Sequence, residues 1–299
     1  MTAEDSRGML VQMVPVGSAP RQIRDVTARG VRMRVVEAGE GHPRAVVLLH
    51  DFLASHLQFD AIIDALASGA HVLAPDLPGF GESEKPSPAR YAYGVDGFAE
   101  AIADVIAAYG LGRVDVVGHG LGGAIGITLA ALHAELITRL ALIAPLTYAH
   151  PLNRRLQPSL WPFVGGSMFK QLFGRRAFRA FYRHEVEHVS GRDAAFDPTP
   201  ALDAMYAQFN TPAARESAYA VLRAMRDTRP VVARITRVRQ PTLVMWGRQD
   251  RIYPAAFALK LCRELPDARL ELFDAGHAPH ARRPSELASV TREFFEGHR

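Results

Sequence analysis

The stretch Val114-Asp115-Val116-Val117-Gly118-His119-Gly120-Leu121-Gly122-Gly123, continued by the apolar run Ala124 to Ala131, constrains the fold more than any other. A short β-branched segment enters a glycine-framed turn and leaves it as a helix-forming pattern, so the reading is strand, sharp turn, helix. Glycines at 118 and 122 permit close backbone packing around a central residue in a strained conformation. That central residue is Gly120, which has no side chain.

The flanking chain repeats the same alternation. Residues 1–22 read as a loose lead, interrupted by Gly, Pro, Ser and charges. Arg24 to Thr27 and Val31 to Glu37 are short strand candidates around a turn at Arg29-Gly30. Ala45 to Leu49 is apolar on both faces, which implies a sheet covered on both sides by helices. It ends at His50-Asp51-Phe52, where Ser55 is placed to cap a helix over about 56–66. The strand His71 to Asp76 opens into Leu77-Pro78-Gly79-Phe80-Gly81-Glu82-Ser83, and an amphipathic helix follows from Asp96 to about Tyr109. After the central turn come a helix to about His133 and a strand from Leu136 to Ile143. Strands alternating with helices of this length predict an α/β fold with a mostly parallel, doubly covered sheet whose functional loops lie at the carboxyl ends of its strands.

Between Pro145 and about Arg234 the rhythm changes. Helical stretches are expected at Phe169 to Val189, Ala201 to Phe209 and Ala213 to Met225, with no buried strand among them. The expected division is a core over 23–145 and 235–299 with an inserted helical subdomain over 146–234. Strands resume at Pro241 to Trp246 and Arg269 to Phe273, ending at Gly247-Arg248-Gln249-Asp250 and Asp274-Ala275-Gly276-His277.

Taken together, these segments resemble the alpha/beta-hydrolase superfamily, within it the capped group of epoxide hydrolases, haloalkane dehalogenases, small esterases and carbon–carbon bond hydrolases. The likeness spans about Val31 to Phe295. His50-Asp51-Phe52 is similar to the loop that supplies an oxyanion amide, and Asp76 to Ser83 to a typical loop of the group. Gly118 to Gly122 resembles the nucleophile elbow, Gly-x-Ser-x-Gly. Asp250 and His277 match the acid and histidine that follow the cap. The resemblance implies that Asp250 orients His277 and that the N–H groups of Phe52 and Leu121 form an oxyanion hole. Leu146, Tyr148, Trp161 and Phe163 are the expected lining of an apolar substrate cavity under the cap. Asp76 is expected to organise its loop.

The chain departs from the pattern twice. Asp51 stands where many relatives carry Gly, a variation that dehalogenase-like members share. Gly120 stands where relatives carry Ser, Asp or Cys, and without an oxygen or sulfur there no covalent intermediate can form on residue 120. Three readings follow: an inactivated form of a serine hydrolase with Gly in place of Ser; an enzyme in which the His277-Asp250 dyad acts as general base, on water in the vacant nucleophile position or on a substrate proton; or a non-catalytic small-molecule-binding protein. The expected substrate of an enzyme is a small, mainly apolar ester, lactone or related carbonyl compound.

Other signals point elsewhere only weakly. His184-Glu185-Val186-Glu187-His188 satisfies His-Glu-x-x-His, but no third ligand presents itself, so no metal is expected. Arg175, Arg176, Arg179 and Arg183 make a basic stripe on a cap helix opposite Phe173, Phe178, Phe181 and Tyr182, read as a solvated face over a packing face. A formal charge of +4 with dispersed basic residues gives no nucleic-acid footprint. Gly79 and Gly81 lack dinucleotide spacing, so no cofactor is expected. The single cysteine, Cys262, excludes an intrachain disulfide. With no apolar run long enough for a membrane span and no signal-like start, a soluble cytoplasmic protein is expected. Caps of this group mediate dimer contacts in some members, which is compatible with a homodimer.

Overall fold

The computed structural model describes residues 20–150, 157–161, 163–186 and 199–297. Eight strands, β1 (Gln22–Ala28), β2 (Val31–Ala38), β3 (Ala45–Leu49), β4 (His71–Pro75), β5 (Val114–His119), β6 (Ile137–Ile143), β7 (Thr242–Gly247) and β8 (Ala268–Phe273), form one sheet in the order β1-β2-β4-β3-β5-β6-β7-β8. The first two are a hairpin whose turn residues, Arg29 and Gly30, both have positive φ (51° and 71°), matching the twist of the strands they join. β2 meets β4 antiparallel, and all later pairs are parallel.

Every residue of β3, β4, β5 and β7 is buried, because helices cover both faces. Alternate side chains divide between two apolar clusters, as the two-residue period of a strand dictates. Val47, Leu49, Val116, Leu140, Val244 and Trp246 pack with α2 (Val95–Ala108) and α3 (Leu121–Leu132) on one face. Val46, Leu48, Val117, Ala141 and Met245 pack on the other with α1 (Asp60–Ala67) and with the C-terminal helix that closes the chain.

Between β6 and β7 the described residues are helical: α4 (Gly165–Ser167) running into a π-type turn at Met168–Leu172, then α5 (Arg175–Val186), α6 (Thr199–Phe209), α7 (Pro212–Ala224) and α8 (Arg229–Ile235). The helix expected from Phe169 is thus broken at Phe173-Gly174, where Phe173 ends the π turn with φ −76° and ψ 70°. Aromatic packing holds this layer together, with Phe169 stacked on Phe173 at 5.3 Å and Phe178 on Phe209 at 5.5 Å. Arg179 reaches across to Asp203 and ties α5 to α6. The His184 to His188 motif runs out of the described residues at the end of α5. After β7 come α9 (Ala256–Glu264), α10 (Pro279–Arg282) and the closing α11 (Pro284–Glu296). No described helix is long and apolar enough to cross a membrane.

The loop after β4 shows how the carboxyl edge is pinned. Ser55 makes no cap hydrogen bond, contrary to expectation. Asp76 takes the role instead: its Oδ1 accepts the N–H of His56 (2.7 Å) and lies 2.9 Å from the His56 ring, while Oδ2 accepts the N–H of Glu82 (2.7 Å). Ser83 donates its hydroxyl to the Asp76 carbonyl at 2.6 Å. Removing this fully buried carboxylate strands several donors at once. Asp76→Ala is therefore expected to cost about 3 kcal/mol or more in urea unfolding, whereas Asp25→Ala, which breaks exposed arginine pairs, is expected to cost at most about 1 kcal/mol.

Candidate active site

At the turn between β5 and α3, Gly120 has φ 51° and ψ −111°, a conformation that strains any residue with a Cβ. Its N–H donates to the Ile143 carbonyl (3.0 Å), and its own carbonyl accepts the N–H of Leu146 (2.8 Å). Two residues on, a Cβ at Gly122 would fall 2.0 Å from the Leu49 carbonyl oxygen, so glycine is what lets α3 approach β3 this closely.

The space above Gly120 is filled by Asp51. A Cβ built on Gly120 would lie 2.1 Å from one Asp51 carboxylate oxygen and 2.5 Å from the other. Register explains the meeting: Leu49 of β3 pairs with Gly118 of β5, and Asp51 and Gly120 each follow two residues later. Asp51 Oδ1 accepts the N–H of Leu121 at 2.7 Å, at the positive end of α3. Its backbone is held equally firmly. The N–H donates to Gln58 (2.9 Å), and the carbonyl accepts from the His50 ring Nδ1 (2.8 Å) and from Ala54 N–H (3.2 Å). His50 accepts the Leu77 N–H through Nε2, which fixes it as the neutral Nδ1–H tautomer. Tyr182, from α5, donates its hydroxyl to the Phe52 carbonyl at 3.4 Å.

His277, 1 % exposed, lies between two carboxylates. Its Nδ1–H donates to Asp250 Oδ2 at 2.8 Å, and Nε2 is 3.4 Å from Asp51 Oδ2. Asp250 is itself set by a turn in which Oδ1 accepts the N–H groups of Ile252 (2.8 Å) and Tyr253 (2.9 Å). Tyr253 places its ring edge-on to the imidazole at 5.3 Å.

These contacts determine the protonation pattern. Burial alone would lower the His277 pKa, but Asp250 and Asp51 outweigh it and hold the imidazole well above its ordinary value. Burial would raise Asp51, yet the His277 bond, the nearby His119 and the Leu121 N–H bring it down to about 2. His119, under the same ring at 4.6 Å, is pushed down to about 4 by burial and by His277. Burial, His119 and His277 likewise hold His280 well below its ordinary value. Among the described residues, Asp51, His119 and His277 offer donor atoms within 4.8 Å of one another, the arrangement here that could hold a metal ion. In this structure hydrogen bonds knit them, with His119 Nε2–H donating to the His277 carbonyl at 3.0 Å.

The structure thus brings His277, Asp250, Gly120, Leu121 and Asp51 together. It corrects the expected vacant position, which holds a carboxylate, and the expected free Leu121 donor, which that carboxylate occupies. Asp51, set aside from the sequence as family variation, is a central member of the site. Leu146 and Leu121 line a cavity of about 220 Å³ bounded by α2, α7 and α8. Tyr148 is not among its lining residues: its hydroxyl donates to Glu264 (2.7 Å) and its ring packs on Phe257. Trp161 and Phe163 are corrected outright, being 57 % and fully exposed at a turn where Phe163 has φ 64°. Cys262 is half-buried, and burial pushes its thiol up to about 11, the state of an unreactive side chain.

Comparison with known proteins gives the lineage. Residues 44–284 match the family described as alpha/beta hydrolase fold. The chain belongs to the alpha/beta hydrolase family. The hydrolase is 27 % identical over 289 residues to a 2-hydroxymuconate semialdehyde hydrolase of Pseudomonas sp. strain CF600, covering 93 % of this chain and 95 % of that one. It is 31 % identical over 261 residues to a pimeloyl-[acyl-carrier protein] methyl ester esterase of Neisseria meningitidis, covering 85 % and 94 %. Its fold is similar to that of a serine hydrolase from Cycloclasticus zankles (TM-score 0.79, 20 % identity, 93 % and 99 % covered). An enol-lactonase from Burkholderia xenovorans is also similar (TM-score 0.72, 20 % identity, 91 % and 100 % covered).

The overlap between a residue-120 side chain and Asp51 makes a test of this hydrolase. Gly120→Ser alone is expected to lose about 1–3 kcal/mol through overpacking and to label poorly with a fluorophosphonate probe. Adding Asp51→Gly is expected to recover the melting temperature and to permit labelling of the introduced hydroxyl. A single variant as stable as wild type and fully labelled would show that the two positions do not compete for space.

Proposed function

We propose that the protein is an enzyme acting on a small, mainly apolar ester, lactone or related carbonyl compound by direct proton transfer, with no intermediate bonded to residue 120. The observation that carries this reading is His277 held between Asp250 and Asp51 beside an elbow whose residue 120 supplies neither oxygen nor sulfur. The substrate class is supported by the relatives, named as a semialdehyde hydrolase and a methyl ester esterase, and by the enol-lactonase whose fold is shared.

Hydrolysis then follows from the groups present. The substrate carbonyl displaces the Asp51 carboxylate from the Leu121 N–H, which becomes the donor for the developing oxyanion together with the N–H of Phe52. Neutral His277 takes a proton from water through Nε2 as the water oxygen bonds to the carbonyl carbon. The tetrahedral intermediate expels its leaving oxygen, which receives that proton back from the imidazolium. Asp250 holds the ring and balances its charge throughout.

One observation favours a second reading, a binding protein: Leu121 N–H is already satisfied by Asp51. The inactivated-hydrolase reading is weakened by the same contact, since a serine side chain at position 120 overlaps Asp51 in this arrangement.

The pH profile separates these readings. Because two carboxylates raise the His277 pKa, the base form appears only as pH rises through that raised value, so wild-type kcat/KM on p-nitrophenyl butyrate or a small lactone should climb with pH. Asp51→Asn removes one raising charge, so its ascending limb should move to lower pH by about one unit. His277→Ala should sit at the background rate at every pH. Equal rates for wild type and His277→Ala would leave the binding-protein reading.

A further inference from the structure

We infer that the substrate carries an anionic group on its apolar body, and that Arg223 and Arg226 read this group at the outer mouth of the cavity. The inference deepens the proposed reading by naming a substrate class, and it concerns binding, not the proton-transfer step.

The inner cavity begins beside the candidate site. Leu121 follows Gly120 directly, and Leu146 is hydrogen-bonded to the Gly120 carbonyl. Its walls are apolar, supplied by Phe98, Val221, Met225 and Val231. At Ala224, Asp227 and Thr228 it adjoins an outer basin of about 710 Å³, since those three residues line both spaces. The basin adds Arg223, Arg226 and Arg229. The apolar cavity beside the elbow thus borders, at the end of α7, a basin whose rim bears arginines.

Charge accounting across these two spaces has a definite sign. Asp96 and Asp227 are the carboxylates that line them. Asp96 is held by Arg234 (3.0 Å) and Asp227 by Arg229 (2.7 Å). Among the described residues both negative charges are thus matched, and Arg223 and Arg226 remain as surplus cations on the exposed turn that ends α7. A ligand lying in the apolar cavity gains from ending in an anion at that rim, and a cationic end would be repelled. A carboxylate and a phosphate monoester share this chemistry. The arginine fork suits both.

Binding of matched eight-carbon probes tests the inference. Octanoate, octyl phosphate, 1-octanol and octylammonium are titrated calorimetrically into the wild-type protein and into Arg223→Ala/Arg226→Ala, whose substitutions are at exposed positions. Exposed charge pairs contribute modestly, so the two arginines together should favour an anionic probe over 1-octanol by about tenfold. The double variant should lose that preference while its affinity for 1-octanol is unchanged. Added salt should weaken anion binding in the wild type only, and Arg223→Glu/Arg226→Glu should turn the preference toward octylammonium. Tighter binding of octanoate or of octyl phosphate identifies which anion the rim suits. Equal affinity of wild type for octanoate, octyl phosphate and 1-octanol, no binding of any probe, or an anion preference that survives in the double alanine variant would overturn the inference. None of these outcomes bears on whether His277 sets the rate on esters, so the two readings fail separately.

Discussion

The hydrogen bond from Leu121 N–H to the Asp51 carboxylate is the contact on which the rest of the site depends. It places a full negative charge at the amino end of α3, where the helix has unsatisfied N–H groups and a positive end. It also sets the second carboxylate oxygen beside His277. A carboxylate without those partners would be driven toward its neutral form by the surrounding protein. With them it stays ionised, and in turn raises the imidazole that faces it. Asp51 and His277 are therefore one electrostatic unit, and Asp250, fixed by two backbone N–H groups, is its outer member.

The fold makes this unit rigid by placing each member at the end of a strand. Asp51 follows β3, Gly120 follows β5, Asp250 follows β7 and His277 follows β8. These four strands run parallel within one sheet, so their carboxyl ends lie along a single edge. Glycine at 120 is favoured by a positive φ and required by the Asp51 oxygens that fill the space of its missing side chain. The elbow and the neighbouring loop thus share a single volume that holds one side chain.

Most of this architecture was legible in the sequence, because continuous apolar strands, helices of regular length and the two terminal loops each carry a strong local pattern. The order of motifs also paired Asp250 with His277, and their side chains meet at 2.8 Å. What the pattern could not give was a contact between two departures. Asp51 and Gly120 are far apart in the chain, and each alone reads as a tolerable variation. The signal that joins them is register: if β3 and β5 are neighbours, the second residues past their paired ends must meet. Trp161 and Phe163 failed for a different reason. An aromatic run in a cap suggests a lining wall, but the turn at Phe163 directs these side chains outward, while Phe169, Phe173 and Phe178 supply the buried packing. Tyr148 was drawn aside by a polar partner, Glu264, that sequence spacing does not reveal.

The charge balance of the site bears on where a substrate's own charge would sit. Asp51 and Asp250 carry two negative charges against the single positive charge of His277, so the buried array is net negative when the imidazole is protonated. Coulomb repulsion falls with distance and is weak where water screens it, but it is strong among groups removed from solvent. An anionic group placed near Gly120 would meet that negative field at close range and would oppose loss of the proton from His277. The same group at the rim lies in water beside Arg223 and Arg226, separated from the array by the apolar walls of Phe98, Val221 and Val231. On the inference drawn from the rim, a ligand of this kind lies in one sense only, reactive end inward and anion outward, through the separation of charge between site and rim and not through any single contact.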